Sequence, residues 1–195
     1  MTIAPAATGT VLHLDGGTRR LDATPFAQRA GWQEQQASLA DLHGVADASV
    51  EAVFCSHGIE RLYPHQVPAA LQHCLRVLKP EGFLLLQCTD LKAAAKLIAA
   101  DNYTTPVYQG PHGPMAAIDI VYGHRASIAA GQTELAHHCG FTGQSLMATL
   151  KEAGFQQIAA RELPDHFDLW ALATKATWSE DALKATVAAL FPGRS

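Results

Sequence analysis

Two short apolar runs bracketing one amphipathic helix constrain this chain most. Glu51 to Ser56 (EAVFCS) and Gly82 to Cys88 (GFLLLQC) are apolar without a clean period of two, the pattern of strands covered on both faces. Between them Val67, Leu71, Cys74, Leu75 and Leu78 recur at helical spacing, with Pro68 in the first turn and Lys79-Pro80-Glu81-Gly82 ending the helix. A strand, a helix and a second buried strand make a β-α-β unit, which needs a parallel sheet with helices on its faces.

The rest of the chain fits that frame. Thr10 to Leu14 (TVLHL) predicts a strand stopped at Asp15-Gly16-Gly17, while Gln33 to Leu39 is ambiguous between states. Thr89 or Asp90 caps a helix with the stripe Leu91, Ala94, Ala95 and Ile98, and Thr142 opens another through Leu146, Met147 and Leu150, closed by Gly154. Phe155 to Ala160 and Phe167 to Ala173 predict an antiparallel edge pair, and Ser179 to Phe191 a closing amphipathic helix. Asn102 to Phe141 has no strong period and is read as a structureless functional insert on the substrate side. The expectation is an α/β, Rossmann-like fold: a mostly parallel sheet of six or seven strands, in one domain over 1–195 with an insert at about 101–142.

Composition excludes several function classes. Of 195 residues 48% are hydrophobic and 16% charged, which suits a packed core rather than a charged, disordered chain. A net charge of −4 offers no positive field for phosphates, so neither nucleic acid nor an anionic membrane is expected as partner. Cys55, Cys74, Cys88 and Cys139 form no C-x-x-C pair, which suits reduced thiols. The opening Met1 to Gly17 has no basic leader and contains Pro5, and no apolar run reaches membrane-spanning length. A cytoplasmic location is the expectation.

The strand-turn at His13-Leu14-Asp15-Gly16-Gly17 is the kind of place where α/β sheets bind nucleotides, but it is not G-x-G-x-x-G, and no phosphate-binding G-x-x-x-x-G-K-[ST] occurs. Several motifs in order resemble class I S-adenosylmethionine-dependent methyltransferases, in particular short bacterial proteins of the type 11 kind. Val11 to Thr18 stands where that family has its first strand and Gly-rich turn, and Ala40-Asp41-Leu42 looks like its Asp-Leu step. VEAVFCSHGIERL, from Val50 to Leu62, is similar to the fourth strand and its "SHxLEHL" loop, and LRVLKPEGFLL, from Leu75 to Leu85, resembles the "RVLKPGGxL" joint. Ile118 to Thr142 looks like a characteristic insert, and Phe167 to Ala171 like the penultimate or last strand. The likeness covers about Val11 to Lys175.

The resemblance implies S-adenosylmethionine as cofactor, held by Leu14, Asp15, Gly16, Gly17, Glu34, Asp41, Leu42 and Ser56. It implies in-line methyl transfer to a small-molecule acceptor, with a homodimer or a protein partner left open. Two departures fall on the cofactor side. Asp15 replaces the first glycine of the G-x-G turn, placing a carboxylate where the donor's methionine end approaches; that group is also able to contact the donor's amino group. The stretch from Trp32 to Ala40 is short, so Glu34 is the nearest substitute for the acid that holds the ribose hydroxyls. These departures support an alternative, a catalytically degenerate pseudoenzyme of the same fold used as an accessory subunit.

Catalytic candidates are His57 and Glu60 beyond the fourth-strand equivalent, and Tyr122, His124, Arg125 and His137 in the insert, histidine being suited to general-base work near neutral pH. Structural roles compete with each: His57 capping a turn, Glu60 pairing with Arg61 or Arg125, Arg125 bracing the insert. His137-His138-Cys139 is not read as a metal site, because neighbours on an extended stretch point oppositely and further ligands at zinc-like spacing are not evident.

Overall fold

The computed structural model describes residues 8–14, 31–110, 113–164 and 167–191. In chain order these form β1 (Gly9–Leu14), β2 (Trp32–Ala37), β3 (Val50–Ser56), α1 (Val67–Val77), β4 (Leu78–Thr89), α2 (Leu91–Ala99), β5 (Pro106–Gly110), β6 (Gly113–Ala116), α3 (Ala117–Tyr122), α4 (Arg125–Ala129), α5 (Gly143–Glu152), β7 (Gln157–Leu163), β8 (Asp168–Thr174) and α6 (Glu180–Leu190). Six strands make one sheet in the order β2-β1-β3-β4-β8-β7. The β1–β2, β1–β3 and β3–β4 pairs are parallel, and β8 runs antiparallel to both β4 and β7.

The strand order reverses between β1 and β3. In a doubly wound sheet that switch point, at the carboxyl ends of the strands, is where ligands bind. Compared with the order 3-2-1-4-5-6 of the dinucleotide-binding sheet, β2 is the edge here and no third strand extends beyond it among the described residues.

Alternation along each strand splits the core into two layers. Leu12, Leu14, Val53, Cys55, Leu84 and Leu86 face α1 and α5, where Leu71, Cys74, Leu146 and Leu150 meet them. Val11, Phe54, Phe83, Leu85, Trp170 and Leu172 face the opposite side with Trp178, Leu190 and Phe191. Many of these side chains are almost fully enclosed, each worth about 1.5–3 kcal/mol of burial.

Several expectations are corrected. Lys79 to Gly82 belong to β4: the helix stops at Val77, and the β3–β4 register shifts between Val50/Leu78 and Ala52/Phe83. Pro80 falls in that irregularity, where a missing N–H disturbs the ladder least. The polar stretch after Gly31 is strand β2, held by its parallel ladder to β1. Asp90 caps α2 by accepting from Lys92 N at 2.9 Å. The buried face of that helix is Ala93 and Ala94, while Ala95 and Ile98 are exposed. The stripe is one residue off because the insert, through α3, is what packs on α2. The pair β7–β8 is antiparallel as expected, but only β7 is an edge.

The largest correction concerns Asn102 to Phe141, which is folded. β5 and β6 form their own two-stranded antiparallel sheet, followed by α3, α4 and a 3-10 turn at Thr133–Leu135. Its far end is sewn to the start of α2, where Leu91 N donates to Phe141 O at 3.0 Å. Among the described residues no helix is long and apolar enough to cross a membrane.

Candidate active site

Three apolar rows turn polar at the same end of the sheet. Phe54 is followed on its face by Ser56, Leu85 by Gln87, and Trp170 is preceded by Asp168. The register aligns them, with Ser56 opposite Gln87, Gln87 opposite Trp170 and Thr89 opposite Asp168. Ser56 Oγ donates to Gln87 Oε1 at 3.0 Å, and Gln87 Nε2 donates to Asp168 Oδ2 at 2.7 Å.

Immediately after β3, His57 takes φ +51°, a left-handed conformation that turns the chain off the sheet while its N–H still donates to Gln87 O at 2.8 Å. The 3-10 turn Ile59–Arg61 follows, anchored by fully buried Ile59, and brings Glu60 back under the histidine. His57 Nδ1 lies 3.0 Å from Glu60 Oε1, and His57 Nε2 lies 3.5 Å from Asp168 Oδ1. The same Glu60 oxygen accepts from Thr89 Oγ1 at 3.1 Å and from Thr89 N at 3.3 Å.

The network is graded from dry to wet: the Glu60 side chain is 1% exposed, Asp168 15% and His57 31%. Burial pushes the Glu60 carboxyl up, but the hydrogen bond and charge of His57 outweigh it and hold the group down at about 2. Glu60 pairs with neither Arg61 nor Arg125, contrary to the competing roles set out above, since His57 and Thr89 occupy it. Its second oxygen, Oε2, is buried without a hydrogen-bond partner.

The insert is tied to this turn. His138 N and Cys139 N both donate to Glu60 O, at 2.8 and 3.1 Å, and Cys139 Sγ donates to Ile59 O at 3.2 Å. His137 Nδ1 donates to Ile120 O at 3.2 Å, and burial lowers its pKa. Burial, reinforced by Glu60, pushes the Cys139 thiol up to about 11. All four cysteines are free, and among the described residues no group of three His, Cys, Asp or Glu side chains is arranged to hold a metal.

The other insert candidates stand apart from the network. Tyr122 is 57% exposed. His124 caps α4, its Nδ1 accepting from Ser127 N at 3.3 Å. Arg125 braces the insert: its Nε and a terminal nitrogen donate to the two oxygens of Asp119 at 2.7 and 3.2 Å.

A cavity of about 620 Å³ opens at the switch point, well inside the range of small-molecule sites. His13, Gln36 and Ser38 line it from the ends of β1 and β2, Gly58 and Arg61 from the turn after β3, and Glu134 and His138 from the insert. Of the expected cofactor residues, Leu14 is buried in the core at the end of β1, and Ser56 belongs to the polar network. Asp15, Gly16 and Gly17 lie outside the described residues, as does the side chain of Glu34, whose backbone pairs with Val11 in mid-strand. Leu42 is fully buried, and exposed Asp41 accepts from His43 rather than lining the cavity. Gln36, missed in the sequence, is the polar side chain that the end of β2 brings to the cavity. Its signal is spacing, about 20 residues beyond the glycine turn, where nucleotide-binding sheets carry their ribose contact.

A parallel sheet with this switch point, closed by an antiparallel pair, defines a class I methyltransferase fold. Residues 3–86 match the sequence pattern of a family described as methyltransferase domain. No curated protein matches the chain in sequence. Among solved structures it is similar to an S-adenosylmethionine-dependent methyltransferase from Methanosarcina mazei, with TM-score 0.53 and 14% identity, covering 88% of this chain and 94% of that one. A putative methyltransferase from Bacillus halodurans gives TM-score 0.52 at 14% identity, with coverages of 90% and 95%. The Burkholderia thailandensis 1,6-didemethyltoxoflavin N1-methyltransferase, solved with that compound and S-adenosylhomocysteine, gives 0.51 at 15%, with 87% and 72%. The chain has the fold of class I methyltransferases.

Proposed function

We propose that the protein transfers a methyl group from S-adenosylmethionine to a small-molecule acceptor, as a single domain whose insert walls the acceptor side. The carrying observation is the cavity of about 620 Å³ at the switch point, which has room for an adenosyl group. The donor, when bound, supplies a methyl group already activated by its sulfonium, so alignment of the nucleophile and exclusion of water are what remain for the protein.

In this reading Gln36, which lines the cavity together with Gly58, holds the ribose hydroxyls. The His57–Asp168 end of the polar network is its solvent-facing end and is where the proton of a hydroxyl or amine acceptor would leave. Glu60, sealed beneath, holds the other ring nitrogen of His57 and so fixes the orientation of the imidazole. Tyr122, His124, Arg125 and His137 act in this reading by shaping the insert, not by touching the reacting atoms.

Calorimetric titration with S-adenosylmethionine and S-adenosylhomocysteine tests it, with saturable micromolar binding of both expected. A folded protein that binds neither overturns it in favour of the second reading, an accessory subunit of the same fold, which Asp15, standing in sequence where the family motif has its first glycine, favours.

A further inference from the structure

Among the described residues, one arginine on the cavity wall differs from the others. Arg76 donates to Leu42 O at 2.7 Å and to Val45 O at 2.8 Å, and pairs with Asp47. Arg125 forks onto Asp119. Arg61 lines the cavity, yet its guanidinium has no hydrogen bond or ion pair among the described residues, and its Nε is buried with nothing to donate to. A buried charged donor left unpaired is costly, and a ligand seated in the cavity would relieve it.

That cation is held on a firm base. It ends the 3-10 turn anchored by Ile59, and the insert clamps the turn through the two hydrogen bonds to Glu60 O. Beside it His138 lines the same cavity, backed by Tyr63 at 4.2 Å between ring centroids and 15° between planes. A guanidinium on a clamped turn suits the two oxygens of a carboxylate, and an imidazole stacked on a phenol offers a flat face to a ring. Exposed Glu134 on the same wall opposes a dianion, so a monoanionic carboxylate fits better than a phosphate.

We propose that Arg61 and the Tyr63-backed His138 receive the carboxylate and the ring of a planar aromatic acid, which makes aromatic carboxylates the acceptor class. The assignment of this ligand as acceptor rests on the methyl-transfer reading; the receptor itself does not. The test titrates benzoate, benzamide and cyclohexanecarboxylate into the protein, alone and with saturating S-adenosylhomocysteine, for wild type, Arg61→Gln and Arg61→Lys, each variant first shown by thermal melting to be folded.

Benzoate is expected to bind one to one, at least tenfold tighter than benzamide and severalfold tighter than cyclohexanecarboxylate. Arg61→Gln should lose at least tenfold for benzoate and keep its affinity for S-adenosylhomocysteine, with Arg61→Lys intermediate. Benzoate binding no better than benzamide, or unaffected by Arg61→Gln, overturns the receptor. Equal binding of benzoate and cyclohexanecarboxylate overturns the ring platform. Loss of S-adenosylhomocysteine affinity in Arg61→Gln, with that for 5′-methylthioadenosine unchanged, would place Arg61 on the donor's own carboxylate and overturns the acceptor assignment. Failure of S-adenosylhomocysteine to bind wild type sinks the methyl-transfer reading alone, because the benzoate titration without it still reads the receptor.

Discussion

His57 and Glu60 form a hydrogen-bonded pair at the carboxyl end of β3, Nδ1 to Oε1 at 3.0 Å, with the carboxylate enclosed and the imidazole partly in solvent. Removing the charge from Glu60 leaves a ring nitrogen and the Thr89 donors with a poorer acceptor. Glu60→Gln is therefore expected to destabilise the protein by about 2 kcal/mol, discounted from the larger cost of a fully buried pair because His57 is accessible. Thermal or denaturant unfolding at neutral pH checks this.

The same pair sets the acid limb of stability. Glu60 and Asp119 are both held at about 2 in the folded protein, below the ordinary 4.5 and 3.8; burial opposes this in each case, outweighed by His57 for Glu60 and by Arg125 for Asp119. A depressed folded value means the stabilisation is complete above the ordinary value and is lost as pH falls toward the folded one. The melting temperature should therefore fall between about pH 4.5 and 2. Glu60→Gln should flatten the upper part of that slope and leave the share due to Asp119. A slope unchanged in Glu60→Gln would show that the carboxylate titrates normally.

Asp119 is the keystone of the insert. Its two oxygens accept from Ala116 N at 2.9 Å and Arg125 N at 3.1 Å, as well as from the Arg125 guanidinium. Asp119→Ala unties β6, α3 and α4 at once, with an expected cost of about 2–3 kcal/mol. Hydrogen exchange should show protection lost between residues 113 and 130 while β3 and β4 keep theirs. Uniform loss across both sheets would mean the insert is not a separate cooperative unit.

Gly123 marks a second tight point. It has φ +92°, and a Cβ there would stand 2.2 Å from Leu135 O. Gly123→Ala must displace the turn that carries Glu134 on the cavity wall. The expected result is a loss of about 2 kcal/mol from strain and crowding together. A thermal melt matching wild type would show that the close approach relaxes freely.

Legibility in the sequence followed how local each cause is. The runs EAVFCS and GFLLLQC are readable because burial on both faces leaves no other composition for them. WQEQQA in β2 is polar on an edge and becomes a strand only through its ladder to β1, so its own residues are silent. The hairpin β5–β6 hides in Pro and Gly for the same reason. In the site, His57 and Glu60 are legible because both stand in one short loop, SHGIERL, that resembles a family motif. Gln87 and Asp168, 81 residues apart, are joined only by the β4–β8 register. Arg61 is legible only as a partner for Glu60, because a missing partner has no sequence pattern.

On the methyl-transfer reading, Gln36 is the residue whose change tests the donor half of the cavity. At the end of β2, where nucleotide-binding sheets place an acid, a neutral amide offers one acceptor and two donors instead of two acceptors. If it contacts the ribose hydroxyls, Gln36→Ala removes neutral hydrogen bonds of about 0.5–1.5 kcal/mol each, or roughly a two- to tenfold loss of S-adenosylhomocysteine affinity. Gln36→Glu should then bind more tightly than wild type, because both hydroxyls gain a charged acceptor. Benzoate affinity should be unmoved by either change, since Gln36 comes from β2 and Arg61 from the turn after β3. Calorimetry of the three proteins in parallel separates these outcomes. Equal affinity for S-adenosylhomocysteine in wild type, Gln36→Ala and Gln36→Glu would mean that the ribose lies elsewhere in the groove.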